Sequence, residues 1–148
     1  MDDRKYDALK LENQLCFPLY ACSRETIKLY TPYLDQLGLT YTQYIAMLVL
    51  WERKSMTVKA LGEELFLDSG TLTPLLKKLE VKGLVSRKRS SADERNLIVT
   101  ITETGLRMRD DAVTIPTQMA KCVKLDSQEA QTLYRLLYKM LRLSADEN

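Results

Sequence analysis

Two groups of residues in this 148-residue chain have the types and spacing to do chemistry. The first is three thiols, Cys16, Cys22 and Cys122. No two of them form a Cys-x-x-Cys pair and the chain has no histidine, so neither a zinc nor an iron–sulfur site is expected, and no metal or cofactor is inferred. A Cys–His nucleophile pair is excluded on the same inventory. A lone cysteine is usually a small core residue. Where it reacts it does so as the thiolate, which needs positive potential or hydrogen-bond donors beside it. The second group is basic. From Lys77 to Arg95 the chain places Lys77, Lys78, Lys82, Arg87, Lys88, Arg89 and Arg95 against only Glu80, Asp93 and Glu94. The whole chain carries a formal charge of +2, so the remainder is slightly acidic. A basic patch on such a body suits a phosphate-facing surface, although a run of charge by itself is more often a solvated face.

The elements around the basic run decide between those readings. Thr57 can cap a short amphipathic helix, Val58–Phe66, with Leu61 and Leu65 turned to a core. The break at Asp68-Ser69-Gly70-Thr71 supplies small polar caps for a second helix with a leucine stripe at 72, 75, 76 and 79. Pro74 is tolerable there if the helix starts near Gly70 or Thr71, because its missing N–H then falls in or near the unpaired first turn. Gly83 ends the helix. Leu84–Thr102 reads as a hairpin: Leu97, Val99 and Ile101 alternate with their neighbours, and Ser90-Ser91-Ala92-Asp93-Glu94 makes a polar tip. Helix, turn, helix and basic hairpin make a winged helix-turn-helix, which offers one helix to the major groove of duplex DNA.

The flanks read as helices. Leu9 to about Tyr30 repeats apolar residues at three and four, with either a bend near Cys16–Pro18 or a regular start only there. Thr31-Pro32 predicts its end, since a residue before proline avoids helical angles. A short segment, 33–37, then meets a stop at Gly38. Thr40-Tyr41-Thr42-Gln43 fits a capping box opening a helix through Trp51. Thr102 begins another long helix to Cys122, bent or interrupted at Pro116. Asp126-Ser127-Gln128-Glu129 resembles a capping box before a helix with Leu133, Leu136, Leu137, Met140 and Leu141 on one stripe. The terminal helices expose apolar faces that a small winged core cannot cover, so a second copy of the chain is the natural place to bury them.

The fold expected is mainly α with a small β-wing, a winged helix-turn-helix dimeric through its N- and C-terminal helices. A single domain spans 1–148, with 41–102 as the DNA-binding core and 1–37 and 103–148 as dimerisation helices. No apolar run approaches the roughly 20 residues of a membrane span. The charged start Met1-Asp2-Asp3-Arg4-Lys5-Tyr6 lacks the apolar core of a signal peptide. A cytoplasmic location is expected, where thiols stay reduced unless their chemistry is the point.

Across Leu67-Asp68-Ser69-Gly70-Thr71-Leu72-Thr73-Pro74-Leu75-Leu76-Lys77-Lys78-Leu79-Glu80 and then Asp93-Glu94-Arg95, the sequence resembles the MarR family of winged-helix repressors. The likeness extends over nearly the whole chain. Gln14-Leu15-Cys16-Phe17, with Tyr20, Tyr30 and Tyr41 downstream, resembles the peroxide-sensing, OhrR-like branch. The resemblance implies that Ser69, Thr71, Thr73 and Pro74 face the major groove, with Lys77 and Lys78 near phosphates. Arg87, Lys88 and Arg89 would belong to the basic wing. Arg95, held by Asp93, would enter the minor groove, whose negative potential favours arginine. Cys16 would be the sensing thiol, with Tyr30 and Tyr41, and more weakly Tyr20, as hydrogen-bond donors to its thiolate. Cys122 resembles, in approximate position, the resolving cysteine of two-cysteine members, pairing with Cys16 of the other subunit, with a small thiol as the competing partner. Cys22 is a poor one: on a regular helix it stands about 9 Å from Cys16 along the axis, beyond the roughly 7 Å reach of a disulfide.

The function this implies is a homodimeric repressor on a pseudo-palindromic operator, released when an organic hydroperoxide oxidises Cys16. Two alternatives remain at this point: a repressor of the same fold released by a small effector without redox chemistry, and a thiol peroxidase using Cys16.

Overall fold

Helix starts in this chain are written as side-chain caps. Thr40, Thr57, Asp68 and Thr102 each accept a hydrogen bond from the backbone N–H three residues on, those of Gln43, Ala60, Thr71 and Gly105. Each satisfies a donor that the first helical turn leaves unpaired. The computed structural model describes residues 3–146. The expectation of no leader rests partly on Met1 and Asp2, which lie outside the described residues. The helices are α1 (Cys16–Leu37), α2 (Tyr41–Arg53), α3 (Val58–Leu65), α4 (Ser69–Val81), α5 (Glu103–Ala112), α6 (Ile115–Cys122) and α7 (Ser127–Asp146). The strands are β1 (Ser55–Thr57), β2 (Val85–Arg89) and β3 (Leu97–Ile101), and two short 3₁₀ segments precede α1. The chain divides into two compact units at Ile115–Pro116.

In the first unit the winged core is as the sequence predicts, with differences in the flanking helix, in α4 and in the sheet. Of the two expectations for the first helix, the later regular start is the one observed: α-helix begins at Cys16, so Pro18 falls in the first turn, where no N–H is needed. At the other end Pro32 does not stop the helix, which continues to Leu37 and closes on Gly38 at φ 64°. Continuing through Pro32 buries Leu34 to 2% exposure, and burial of a leucine offsets much of the lost backbone bond. Pro74 lies past the first turn of α4, so the Gly70 carbonyl loses its helical donor. The buried stripe Leu72, Leu75, Leu76 and Leu79 carries the helix across that gap. Finally, β1 has no sequence signal: its three residues pair antiparallel with β3, giving a sheet of order β1-β3-β2.

Beneath the sheet, Trp51 donates its indole N–H to the Gly105 carbonyl at 2.8 Å. A Cβ on Gly105 would stand 2.1 Å from the Leu84 carbonyl oxygen, so only glycine lets α5 lie this close to the start of the wing. Thr102 reinforces the junction by donating to the Gly83 carbonyl at 2.6 Å.

The predicted single helix from Thr102 to Cys122 is two helices, α5 and α6, and the break at Val113–Thr114 precedes Pro116. Pro116 then sits in the first turn of α6, the position where proline is tolerated. In the second unit, α7 opens with the predicted capping box: Glu129 N–H donates to Asp126 Oδ1 at 2.8 Å and Asp126 N–H to Glu129 Oε2 at 3.0 Å. Leu133, Tyr134, Leu136, Tyr138, Met140 and Leu141 along α7 are all at least 38% exposed in the single chain. Among the described residues, no helix is long and apolar enough to cross a membrane.

Candidate nucleic-acid interface and thiol positions

Helix α4 has two faces set by its own sequence. Leu72, Leu75, Leu76 and Leu79 are buried, while Ser69, Thr71, Thr73, Pro74, Lys77 and Lys78 are all exposed. The polar set leads from the helix N-terminus, where short side chains and unpaired N–H groups can approach base edges and phosphates. Asp68 holds that end rigid, accepting from Thr71 N–H at 2.8 Å and from the Thr71 hydroxyl at 3.4 Å.

The wing tip is a tight loop rather than a loose one. Ser90 and Asn96 close it backbone to backbone at 2.8 Å, and Ser90 Oγ accepts from Ala92 and Asp93 N–H. Asp93 grips Arg95 at three points: backbone N–H to Oδ1 at 3.1 Å, Nε to Oδ1 at 3.0 Å and Nη2 to Oδ2 at 3.2 Å. The hydrogen bonds from the Arg95 side chain and then its backbone hold the Asp93 carboxyl below its ordinary range. The Arg95 side chain is nevertheless 90% exposed, oriented but free on its outer side. That combination suits a residue that must enter a groove in one orientation.

The rest of the basic run separates into roles. Lys88 and Arg89 are largely open to solvent, and Arg89 donates to the Glu94 carbonyl at 2.8 Å. Arg87 points inward, its side chain only 14% exposed, with Nη2 3.0 Å and Nε 3.3 Å from Glu80 Oε2. Its backbone N–H also donates to Glu80 Oε1 at 3.0 Å. Arg87 therefore fastens β2 to α4. Lys82 is also occupied, donating to the Gly38 carbonyl and, at 3.1 Å, to Gln43 Oε1. Sequence reasoning misses Glu80 as the anchor of the wing. Its only sequence signal is an acid set between Lys78 and Lys82.

Of the thiols, Cys16 is exposed and is the first residue of α1. Cys22 is exposed on the same helix. Cys122, half-buried at the end of α6, donates weakly to the Gln118 carbonyl. Tyr30 and Tyr41 pack edge to face with centroids 4.9 Å apart, and Tyr44 joins them at 5.8 Å from Tyr30. Burial pushes all three phenols above their ordinary value, so each remains a protonated hydrogen-bond donor at neutral pH. Tyr44 is not among the donors expected from the sequence. Its spacing of three from Tyr41 on α2 is the available signal. Tyr20 is 58% exposed, with the Arg24 guanidinium over its ring at 5.5 Å. Because α1 is continuous, Tyr30 stands about 21 Å from Cys16 along the helix axis at roughly 1.5 Å per residue. The structure brings Tyr30, Tyr41 and Tyr44 together, leaves Tyr20 outside that cluster, and does not bring Cys16 to the cluster within one chain.

Comparison with known proteins places this arrangement. The transcriptional regulator SarA/Rot family matches residues 28–112. The organic hydroperoxide resistance transcriptional regulator of Bacillus subtilis is 48% identical over 146 residues, 99% of each chain. Reduced AbfR of Staphylococcus epidermidis, solved bound to DNA, is 36% identical, covers 95% of this chain and 97% of its own, and superposes with a TM-score of 0.76. The disulfide form of AbfR, at 35% identity and 95% and 99% coverage, gives 0.64. A mutant of Escherichia coli MarR, solved in complex with operator DNA, is 26% identical over 86% of this chain and 93% of its own, with a TM-score of 0.73. The match spans the exposed face of α4, the Asp93–Arg95 wing and the helix carrying Cys16, and the chain belongs to the SarA/Rot, MarR-type family of winged-helix transcriptional regulators, with an OhrR-like sequence over its full length.

Proposed function

We propose that the protein is a DNA-binding transcriptional repressor that leaves its operator when an organic hydroperoxide oxidises Cys16. The observation that carries the DNA half is the exposed row Ser69, Thr71, Thr73, Pro74, Lys77 and Lys78 beside an Arg95 held in three hydrogen bonds. Lys88 and Arg89 add phosphate attraction from the wing, while Arg87 acts by fixing the wing to the recognition helix. Apolar residues left exposed on both units, Leu19 and Ile27 on α1 and Leu133 and Leu136 on α7, support a homodimer that buries them. Such a dimer reads a pseudo-palindrome with half-sites about 10 base pairs apart.

The redox half rests on Cys16 at the start of α1, on the likeness to a hydroperoxide resistance regulator, and on a relative known in both reduced and disulfide forms. The thiolate sulfur attacks the distal peroxide oxygen, the O–O bond breaks, and the alkoxide takes a proton to leave as the alcohol. The sulfenic acid then condenses with a second thiol, Cys122 of the partner subunit in this reading, expelling water and forming the disulfide. The donors to the thiolate are Tyr30 and Tyr41 of the partner subunit, since Tyr30 of the same chain lies too far along α1 and Tyr41, on α2, packs against it. The decisive test is operator binding by reduced protein before and after one equivalent of organic hydroperoxide, beside Cys16→Ser. Wild-type release with a Cys16→Ser protein that stays bound supports the reading. Release of both proteins refutes Cys16 as the sensor and favours an effector-binding repressor.

A further inference from the structure

Two side chains in and just beyond the last turn of α4 have no part in the DNA face or the thiol chemistry. Lys82, the C-terminal cap residue of α4, donates its ammonium protons to the Gly38 carbonyl and to Gln43 Oε1. Gly38 is the residue that closes α1, at φ 64°. Gln43 is 3% exposed and its Oε1 also accepts the Thr40 N–H at 3.1 Å, completing the capping box of α2. One ammonium thus joins the C-terminal ends of α1 and α4 to the start of α2. The position is favourable twice: a cation sits at the carbonyl end of a helix, and a charged donor meets a buried acceptor. Two residues earlier, Glu80 holds Arg87 of the wing through its side chain and backbone. The same end of α4 is therefore fastened on one side to the helix that carries Cys16 and on the other to the strand that leads to Arg95.

We propose that Lys82 is a positioning residue that transmits the oxidation state of Cys16 to the DNA-reading surface. The inference rests on the redox reading above. Helix α1 runs about 33 Å without a break, at roughly 1.5 Å per residue, so a shift at its Cys16 end reaches Gly38. Both α1 and α4 pack on α2, and the Lys82 ammonium adds a polar tie between their ends. Through it a displacement of Gly38 pulls on the end of α4, and the Glu80–Arg87 pair makes the wing follow. Recognition helix and wing then leave their two grooves as one body. The Lys82 ammonium donates to Gly38 and Gln43 rather than to Cys16 or a side chain of the exposed polar face of α4, so its effect belongs to the difference between the two states.

The test uses the full-length protein and a fluorescent duplex selected from a random pool by the reduced wild type. Kd is measured before and after one equivalent of cumene hydroperoxide, with Cys16 oxidation followed by mass spectrometry. For Lys82→Met we expect a reduced-state Kd within about three-fold of wild type, an unchanged rate of Cys16 oxidation, and an oxidised-to-reduced Kd ratio at least ten-fold smaller, the scale of ordinary allosteric coupling. Lys82→Arg, which keeps the charge and the donors, restores the ratio. A Lys82→Met ratio equal to wild type overturns the proposal, as does equal weakening of both states, which marks a DNA contact or a support of the fold. If Lys82→Met does not fold, Lys82→Gln, neutral and too short to reach both acceptors, carries the same outcomes. A wild type that keeps its DNA after oxidation overturns the redox reading and this inference together. Wild-type release with an undiminished ratio in the variant overturns this inference alone.

Discussion

Cys16 and Tyr30 stand on one uninterrupted helix, about 21 Å apart along its axis at roughly 1.5 Å per residue. No rotamer closes that gap, so in the proposed reading the Tyr30 that serves the Cys16 thiolate belongs to the other subunit. Mixed dimers test this. With Cys16→Ser in one chain and Tyr30→Phe in the other, one intact cross-subunit site survives and peroxide oxidation stays within about three-fold of a single wild-type site. With both changes in one chain beside a wild-type partner, the remaining Cys16 meets a ring without its hydroxyl and slows about ten-fold, the usual scale for losing one hydrogen bond to an ion. The reverse pattern, measured by stopped-flow thiol loss, places the tyrosine in the same chain.

Arg95→Ala should weaken operator binding by about 1–3 kcal/mol, roughly 5- to 150-fold, while Lys5→Ala leaves it near wild type. Asp93→Ala should cost part of the same effect, since the Asp93 carboxylate orients the guanidinium at 3.0 Å. Fluorescence anisotropy at fixed salt checks both. Equal losses for Arg95→Ala and Lys5→Ala would remove Arg95 from the interface.

Glu80 carries a pH signature. The Arg87 side chain and then its backbone N–H hold the Glu80 carboxyl below the ordinary carboxylate range. A lowered carboxyl contributes stability that is complete above that ordinary range and is lost as pH falls through the lowered value. Urea midpoints should therefore decline from neutral pH toward acid less steeply in Glu80→Gln than in wild type. Parallel declines would show that the pair contributes nothing to the fold.

Gly105→Ala should be among the more damaging single changes in the winged unit. Its methyl would meet the Leu84 carbonyl oxygen at 2.1 Å and Ile101 Cγ1 at 2.9 Å, so the backbone must move and the Trp51 bond to the Gly105 carbonyl is disturbed. A loss of about 3 kcal/mol is expected, a Tm lower by roughly 6–12 °C at this chain length. A Tm within about 2 °C of wild type, less than the shift expected for even 1 kcal/mol, contradicts the close approach.

Cys122→Ser should still form the Cys16 sulfenic acid with hydroperoxide yet fail to run as a covalent dimer on non-reducing electrophoresis, and Cys22→Ser should behave as wild type. Along α1 Cys22 is about 9 Å from Cys16, too far for a disulfide at about 7 Å. A covalent dimer from peroxide-treated Cys122→Ser would refute the Cys16–Cys122 pairing.

Much of this protein is local, and local features are legible. The caps at Thr40, Thr57 and Thr102, the stop at Gly38, the leucine stripe of α4 and the Asp93–Arg95 grip each depend on residues a few positions apart, so the sequence alone determined them. So did the exposed polar face of α4, which is the complement of its stripe. What the tertiary structure decided is where local preference lost to burial or where partners are distant in sequence. Pro32 predicts a helix end, but burying Leu34 carries α1 on to Leu37. β1 is three residues that are a strand only because β3 lies beside them, and nothing in Ser55-Met56-Thr57 announces Val99 as its neighbour. By sequence, Arg87 and Lys82 are two more members of a phosphate-facing patch. Glu80, Gly38 and Gln43 claim them instead, because a charge is drawn to whichever acceptor the fold brings within reach.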